Sequence, residues 1–114
     1  MERDFVEKLK ELLDLSRNVE LELEQNGLKS TTPEIGIIKE QLFRTTIPSL
    51  VGACQAIARG EPMERAEIRL KRDFPAAYSG LDKIRQTPAG KKIVAHLDKL
   101  KVLVDYISKE YPRL

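Results

Sequence analysis

Two carboxylates one helical turn apart, Glu20 and Glu24, are residues of this 114-residue chain whose types and spacing could do chemistry. On one face of a helix such a pair can share a divalent cation, as carboxylates in helical bundles do. The plainer reading is a solvated face, with Arg17 pairing with Glu20. His96 is the only histidine, with Lys92 and Lys99 four and three residues away. A general base needs an orienting partner and a substrate pocket, and the residue pattern supplies neither.

Cys54 is the only cysteine, so neither an intrachain disulfide nor a cysteine-clustered zinc site can form within this chain. No basic residue lies in the turns around it, and an uncharged apolar setting keeps a thiol protonated and inert. Thr87-Pro88-Ala89-Gly90-Lys91-Lys92 places a glycine and two lysines in the first turn of a helix, where free backbone donors attract anions. Lys91 and Lys92 are therefore the candidate phosphate-binding residues, although the spaced glycines and preceding strand of a P-loop are missing. Arg65, Arg69 and Arg72 line one side of the third helix, with Glu61, Glu64, Glu67 and Asp73 interleaved as expected ion-pair partners. No aromatic residue accompanies them to stack nucleic-acid bases. None of these patterns specifies a reaction, and no catalytic residue is assigned.

The elements that position these residues all read as helices. Phe5, Leu9, Leu12, Ser16, Val19 and Leu23 recur in steps of four and three, which predicts a helix over about residues 3–25 with one serine in its seam. Gly27 after Asn26 suits a left-handed helix end, with Leu28 folding back onto Leu23. Thr31-Thr32-Pro33-Glu34 reads as a capped start for a second helix faced by Ile35, Ile38 and Leu42. Pro48 predicts a kink or a short break near Thr45–Ile47.

From Thr45 to Ala58 no residue is charged, in a chain where a third of the residues are. Leu50, Val51, Cys54 and Ile57 on one side of that helix are the expected subunit interface. Ser49, Gly52, Ala53 and Ala56 supply a small-residue side that another helix can approach. Gly60 and Pro62 end the helix. A third helix spans 62–73, Phe74-Pro75 marks a turn or kink, and Ala77, Leu81 and Ile84 continue in register. Thr87-Pro88 opens the last helix, with Ile93, Leu97, Leu100, Val104, Ile107 and Tyr111 on its face.

The formal net charge is only +2, which argues against a dedicated nucleic-acid binder. The acid-rich first 44 residues are expected to pack beside the base-rich stretch 65–101. No leader is expected from Met1-Glu2-Arg3-Asp4, and no apolar run is long enough for a membrane span.

A Pro-Glu helix start at Pro33-Glu34, a helix ending in Ala-Ile-Ala-Arg-Gly (Ala56 to Gly60) and long first and last helices together cover most of the chain. That layout resembles the all-α NTP pyrophosphatases, the MazG-like group. The family holds magnesium through clustered acids, an E-E-x-x-E run on one helix and an E-x-x-D pair on a later one. The matching stretches here are Ile37 to Arg44, whose one acid is Glu40, and Ala95 to Asp98, whose one acid is Asp98. The resemblance thus implies Glu40 and Asp98 as metal ligands. One acid from each motif is too few to hold two magnesium ions, so it implies an activity lost or altered.

The expectation is an all-α, single-domain (1–114), compact bundle of four or five helices. It would be cytoplasmic and form a homodimer, working without a cofactor as a non-catalytic self-associating or protein-interaction module. The alternative is a divergent MazG-like nucleotide-binding protein or NTP pyrophosphohydrolase, and only that reading needs magnesium.

Overall fold

In the computed structural model, which describes residues 2–114, every element is helical. Met1, where the expectation about a leader begins, lies outside the described residues. Helix α1 (Glu2–Gln25) folds onto the rest through the seam read above, with Phe5, Leu9, Leu12, Val19 and Leu23 all buried. Ser16 sits in that seam because its hydroxyl donates to the Leu13 carbonyl at 2.8 Å, so no polar group is stranded. At the C-terminus Gly27 adopts φ +97°, the Leu28 N–H donates to the Leu23 carbonyl at 2.9 Å, and Leu28 is buried. This is the expected capping turn.

The second helix departs from expectation at its start. Helix α2 (Ile35–Gln41) begins after Glu34, and the Thr32 side chain does not cap it, although its carbonyl accepts from the Gly36 N–H at 2.9 Å. Its hydroxyl instead accepts from the Lys29 N–H within the loop, at 3.1 Å. Glu34 takes φ 59°, ψ −64°, and the Ile35 N–H donates across it to the Pro33 carbonyl at 2.6 Å, a γ-turn of the strained, positive-φ kind. Pro48 does not break the chain either. A π-helical turn (Leu42–Thr46) joins α2 directly to α3 (Ile47–Ala58), with Pro48 in the first turn of α3. The widened turn absorbs the missing proline donor and the crowding of its ring, so the rod continues.

Helix α4 (Met63–Arg85) continues without a break through Phe74-Pro75, where a turn or kink was expected. Phe74, Ala77 and Leu81 are buried on either side of the proline, and packing of this face outweighs one lost hydrogen bond. The last helix, by contrast, is interrupted. Short α5 (Pro88–Lys92) ends at Ile93, which takes φ −123°, ψ 30°, and α6 (Val94–Glu110) starts anew. A terminal 3-10 turn (Tyr111–Arg113) lays Tyr111 on Phe74, ring centroids 5.7 Å apart and nearly parallel.

Four long rods result: α1, α2–α3, α4 and α6, with α5 as the short fifth helix, closing one core in a body of 41 × 23 × 17 Å. The uncharged helix α3 lies at its centre, packed against α4 and α1. Leu50, Val51, Cys54 and Ile57 are all buried within this single chain, so the four residues expected at a subunit interface belong to the monomer's own core. Among the described residues no helix is long and apolar enough to cross a membrane.

Candidate functional site

The acids of α1 meet cations of the second rod. Lys39 is fully buried, and its ammonium donates to Glu24 Oε1 at 2.7 Å. Arg44, one turn further on, donates to Glu20 at 3.2 Å and to Glu40 at 2.9 Å, and lies 3.9 Å from Glu24. Glu20 and Glu24 therefore bind the chain's own cations, and Arg17 is not the partner of Glu20. Lys39 was invisible in the sequence because it lies between Ile38 and Leu42 on a short helix, where any lysine reads as solvated. Its burial is tolerated because the charge is paired.

Lys39, through its hydrogen bond and then its charge, holds the Glu24 carboxyl below the usual carboxylate range, with a smaller contribution from Arg44. A depressed folded-state pKa stabilises the fold above the ordinary carboxylate value and ceases to do so as pH falls through the lowered one. Lys39→Met keeps the stem and removes the charge. Glu24 is a third exposed and retains Arg44, so solvent screening limits the expected cost to about 1 kcal/mol at neutral pH. Urea melts should show the gap to wild type closing as pH falls below the carboxylate range. A gap that stayed constant would mean that Glu24 is not what Lys39 stabilises.

The other candidates are kept apart by the fold. Glu40 pairs with Arg44, whereas Asp98 on α6 pairs with Arg85 on α4, so the two family-implied ligands serve different arginines. Among the described residues no group of three or more His, Cys, Asp or Glu side chains is placed to hold a metal ion. His96 is exposed, and its Nδ1 lies 3.0 Å from Glu22 Oε2, tying α6 to α1. Cys54 is buried among core side chains, and that burial pushes its thiol up to about 12, the opposite of an activated nucleophile. Lys91 and Lys92 occupy the last turn of the five-residue α5 rather than a free helix start. The Gly90 N–H that an anion would use donates to Thr87 Oγ1 at 3.0 Å.

The polar groups that do converge line a groove of about 390 Å³ between α4 and α6. Its floor is Leu81 and Leu97, both buried. One wall carries Tyr78, Asp82 and Arg85, and the other Asp98 and Lys101. Arg85 bridges the groove to Asp98, and Tyr78 donates to the Asp105 carboxylate across the same helix pair. Burial, and then the Asp105 carboxylate, push the Tyr78 hydroxyl above its ordinary value, so it stays a protonated donor. The two bridges leave two charges over. Asp82 is held only by the Gln86 amide at 3.2 Å, and Lys101 has no carboxylate within 4.0 Å among the described residues.

The residue pattern placed Leu81 and Leu97 on buried faces, but of the polar residues of this groove it singled out only Asp98. The missed signal was an acid followed three residues later by a base on two separate helices, Asp82 with Arg85 and Asp98 with Lys101. Such pairs look like ordinary surface decoration until the helices are known to be neighbours.

No protein-family model matches this chain, and no curated protein or solved structure matches it either. The resemblance to the MazG-like group therefore rests on the residues quoted for it alone.

Proposed function

We propose that this chain is a non-catalytic protein-interaction module that associates with a second copy of itself along the α4–α6 groove. The carrying observation is the pair of leftover charges, Asp82 on one rim and Lys101 on the other, above an apolar floor. A two-fold contact sets the same patch against itself, so each Asp82 can face the partner subunit's Lys101 and each Lys101 the partner subunit's Asp82. Opposed charges at the rim set register while the apolar centre supplies affinity. The groove lining holds as many acids as bases, a poor match for the concentrated negative charge of a nucleotide polyphosphate.

Sedimentation equilibrium across a range of protein concentrations tests the proposal. Lys101→Glu sets like charges together at both symmetry-related contacts and is expected to weaken the dimer by about tenfold. Adding Asp82→Lys to the same chain recreates opposite pairs and is expected to restore it. A monomer at every concentration, or a dimer indifferent to Lys101→Glu, would end the proposal.

A further inference from the structure

A second cleft, of about 240 Å³, opens where α3 crosses the first turns of α4. Its floor is made of small side chains, Ala53, Ala56 and Ala66, two of which pack into the core. Arg65 and Arg69, one helical turn apart on α4, line the same cleft. Arg69 is held there rather than waving in solvent. One terminal guanidinium nitrogen donates to the Ser49 carbonyl at 2.9 Å and to the Ser49 hydroxyl at 3.2 Å.

The acids expected to neutralise this stripe are engaged elsewhere or do not reach it. Asp73, buried, takes Arg72 at 3.0 Å. Glu61, the one acid lining the cleft, takes Arg59 at 3.1 Å. Glu64 and Glu67 form no ion pair among the described residues. Among the described residues Arg65 and Arg69 thus have no carboxylate within 4.0 Å, and Arg65 makes no hydrogen bond. Two adjacent guanidiniums left without counter-charges over an alanine floor form a receptor for a planar or tetrahedral oxyanion.

From this we infer that the α3–α4 cleft binds the oxyanion head of a small ligand, a phosphoryl or carboxylate group, through Arg65 and Arg69, with the ligand's apolar body on the alanine floor. The site is independent of the α4–α6 groove, because neither arginine lines that groove.

Amide NMR titrations with phenyl phosphate and with phenylacetate, each against sodium chloride at matched ionic strength, test the inference. Saturable shifts at Ala53, Ala56, Arg65 and Arg69 are expected, and the arm that saturates at lower concentration identifies the head group. Arg65→Gln, which removes no hydrogen bond or ion pair among the described residues, should weaken binding by about tenfold, the scale of one lost charge-assisted pair. Arg69→Gln should do the same, with its melting curve recorded to separate binding from folding. Arg72→Gln, its melting curve recorded because it uncovers the buried Asp73 and drops a 3.5 Å contact with the Ser49 hydroxyl, should leave affinity within about twofold, since Arg72 does not line the cleft. Shifts that rise linearly and spread over all surface cations, no response to either compound, or saturable binding unchanged in Arg65→Gln would each overturn the inference.

Discussion

Gly90→Ala is expected to lower the melting temperature by roughly 10–20 °C, which for a domain of this length corresponds to a loss of about 3 kcal/mol or more. A methyl at that position would lie 2.0 Å from the Ile84 carbonyl oxygen, 2.8 Å from its carbon and 3.1 Å from the Arg85 Cα. All three are backbone atoms at the end of α4, so no rotamer change relieves the clash. Helix α5 would have to move away, and its anchors would go with it. The Thr87 hydroxyl donates to the same Ile84 carbonyl at 2.6 Å and caps Gly90, while Ala89 and Ile93 are buried beside it. Overpacking costs about 1–3 kcal/mol, and losing a cap adds about 1.

Gly52→Ala is the matched control within α3. The nearest atom to its new methyl is the end of the Arg69 side chain at 3.4 Å, which can shift, and alanine's helix preference should leave stability equal or slightly raised. Thermal melts of the two variants check both expectations. If Gly90→Ala melted within a couple of degrees of wild type, the close contact between α4 and α5 would be wrong.

Leu50→Asp is expected to abolish the cooperative fold. Were Leu50 at a subunit interface, the variant would be a folded monomer. It is instead fully buried in the first turn of α3, a helix packed against α1 and α4, and the stretch around it carries no charge. An unpaired carboxylate there costs about 4–5 kcal/mol or more, comparable to the whole stability of many domains. Far-UV circular dichroism of Leu50→Asp should show little helix and no sharp melt. A helical, cooperatively melting monomer would return Leu50 to the surface. Together with the Lys101→Glu experiment, this separates loss of folding from loss of association.

The residue pattern revealed much of the fold because its strongest signals are local. The seam of α1, the Gly27 and Gly60 helix ends and the apolar face running from Ile93 to Ile107 are each written in residues a few positions apart. The structure keeps all of them. Proline was a good guide to helix starts and stops, at Pro62 and Pro88, and a poor one inside helices. Pro48 was accommodated by a π turn and Pro75 by an uninterrupted helix, while the helix that carries no internal proline broke at Ile93. The cost of a proline is local, whereas the decision to continue a helix belongs to the packing of its whole face.

The sequence by itself determined that the chain folds as helices, where most of their buried faces lie, and that the only thiol would be inert. Each follows from spacing along one strand of chain or from composition. Tertiary structure alone decided which charges meet. It buried Lys39 against Glu24, gave Glu20 to Arg44 and Asp98 to Arg85, and left Asp82, Lys101, Arg65 and Arg69 without counter-charges among the described residues. It also turned the expected interface of Leu50, Val51, Cys54 and Ile57 into core. The physical reason is one of range. A helix forms from contacts three and four residues apart, but a charge is neutralised by whatever the fold brings within a few ångströms, and no local pattern records that.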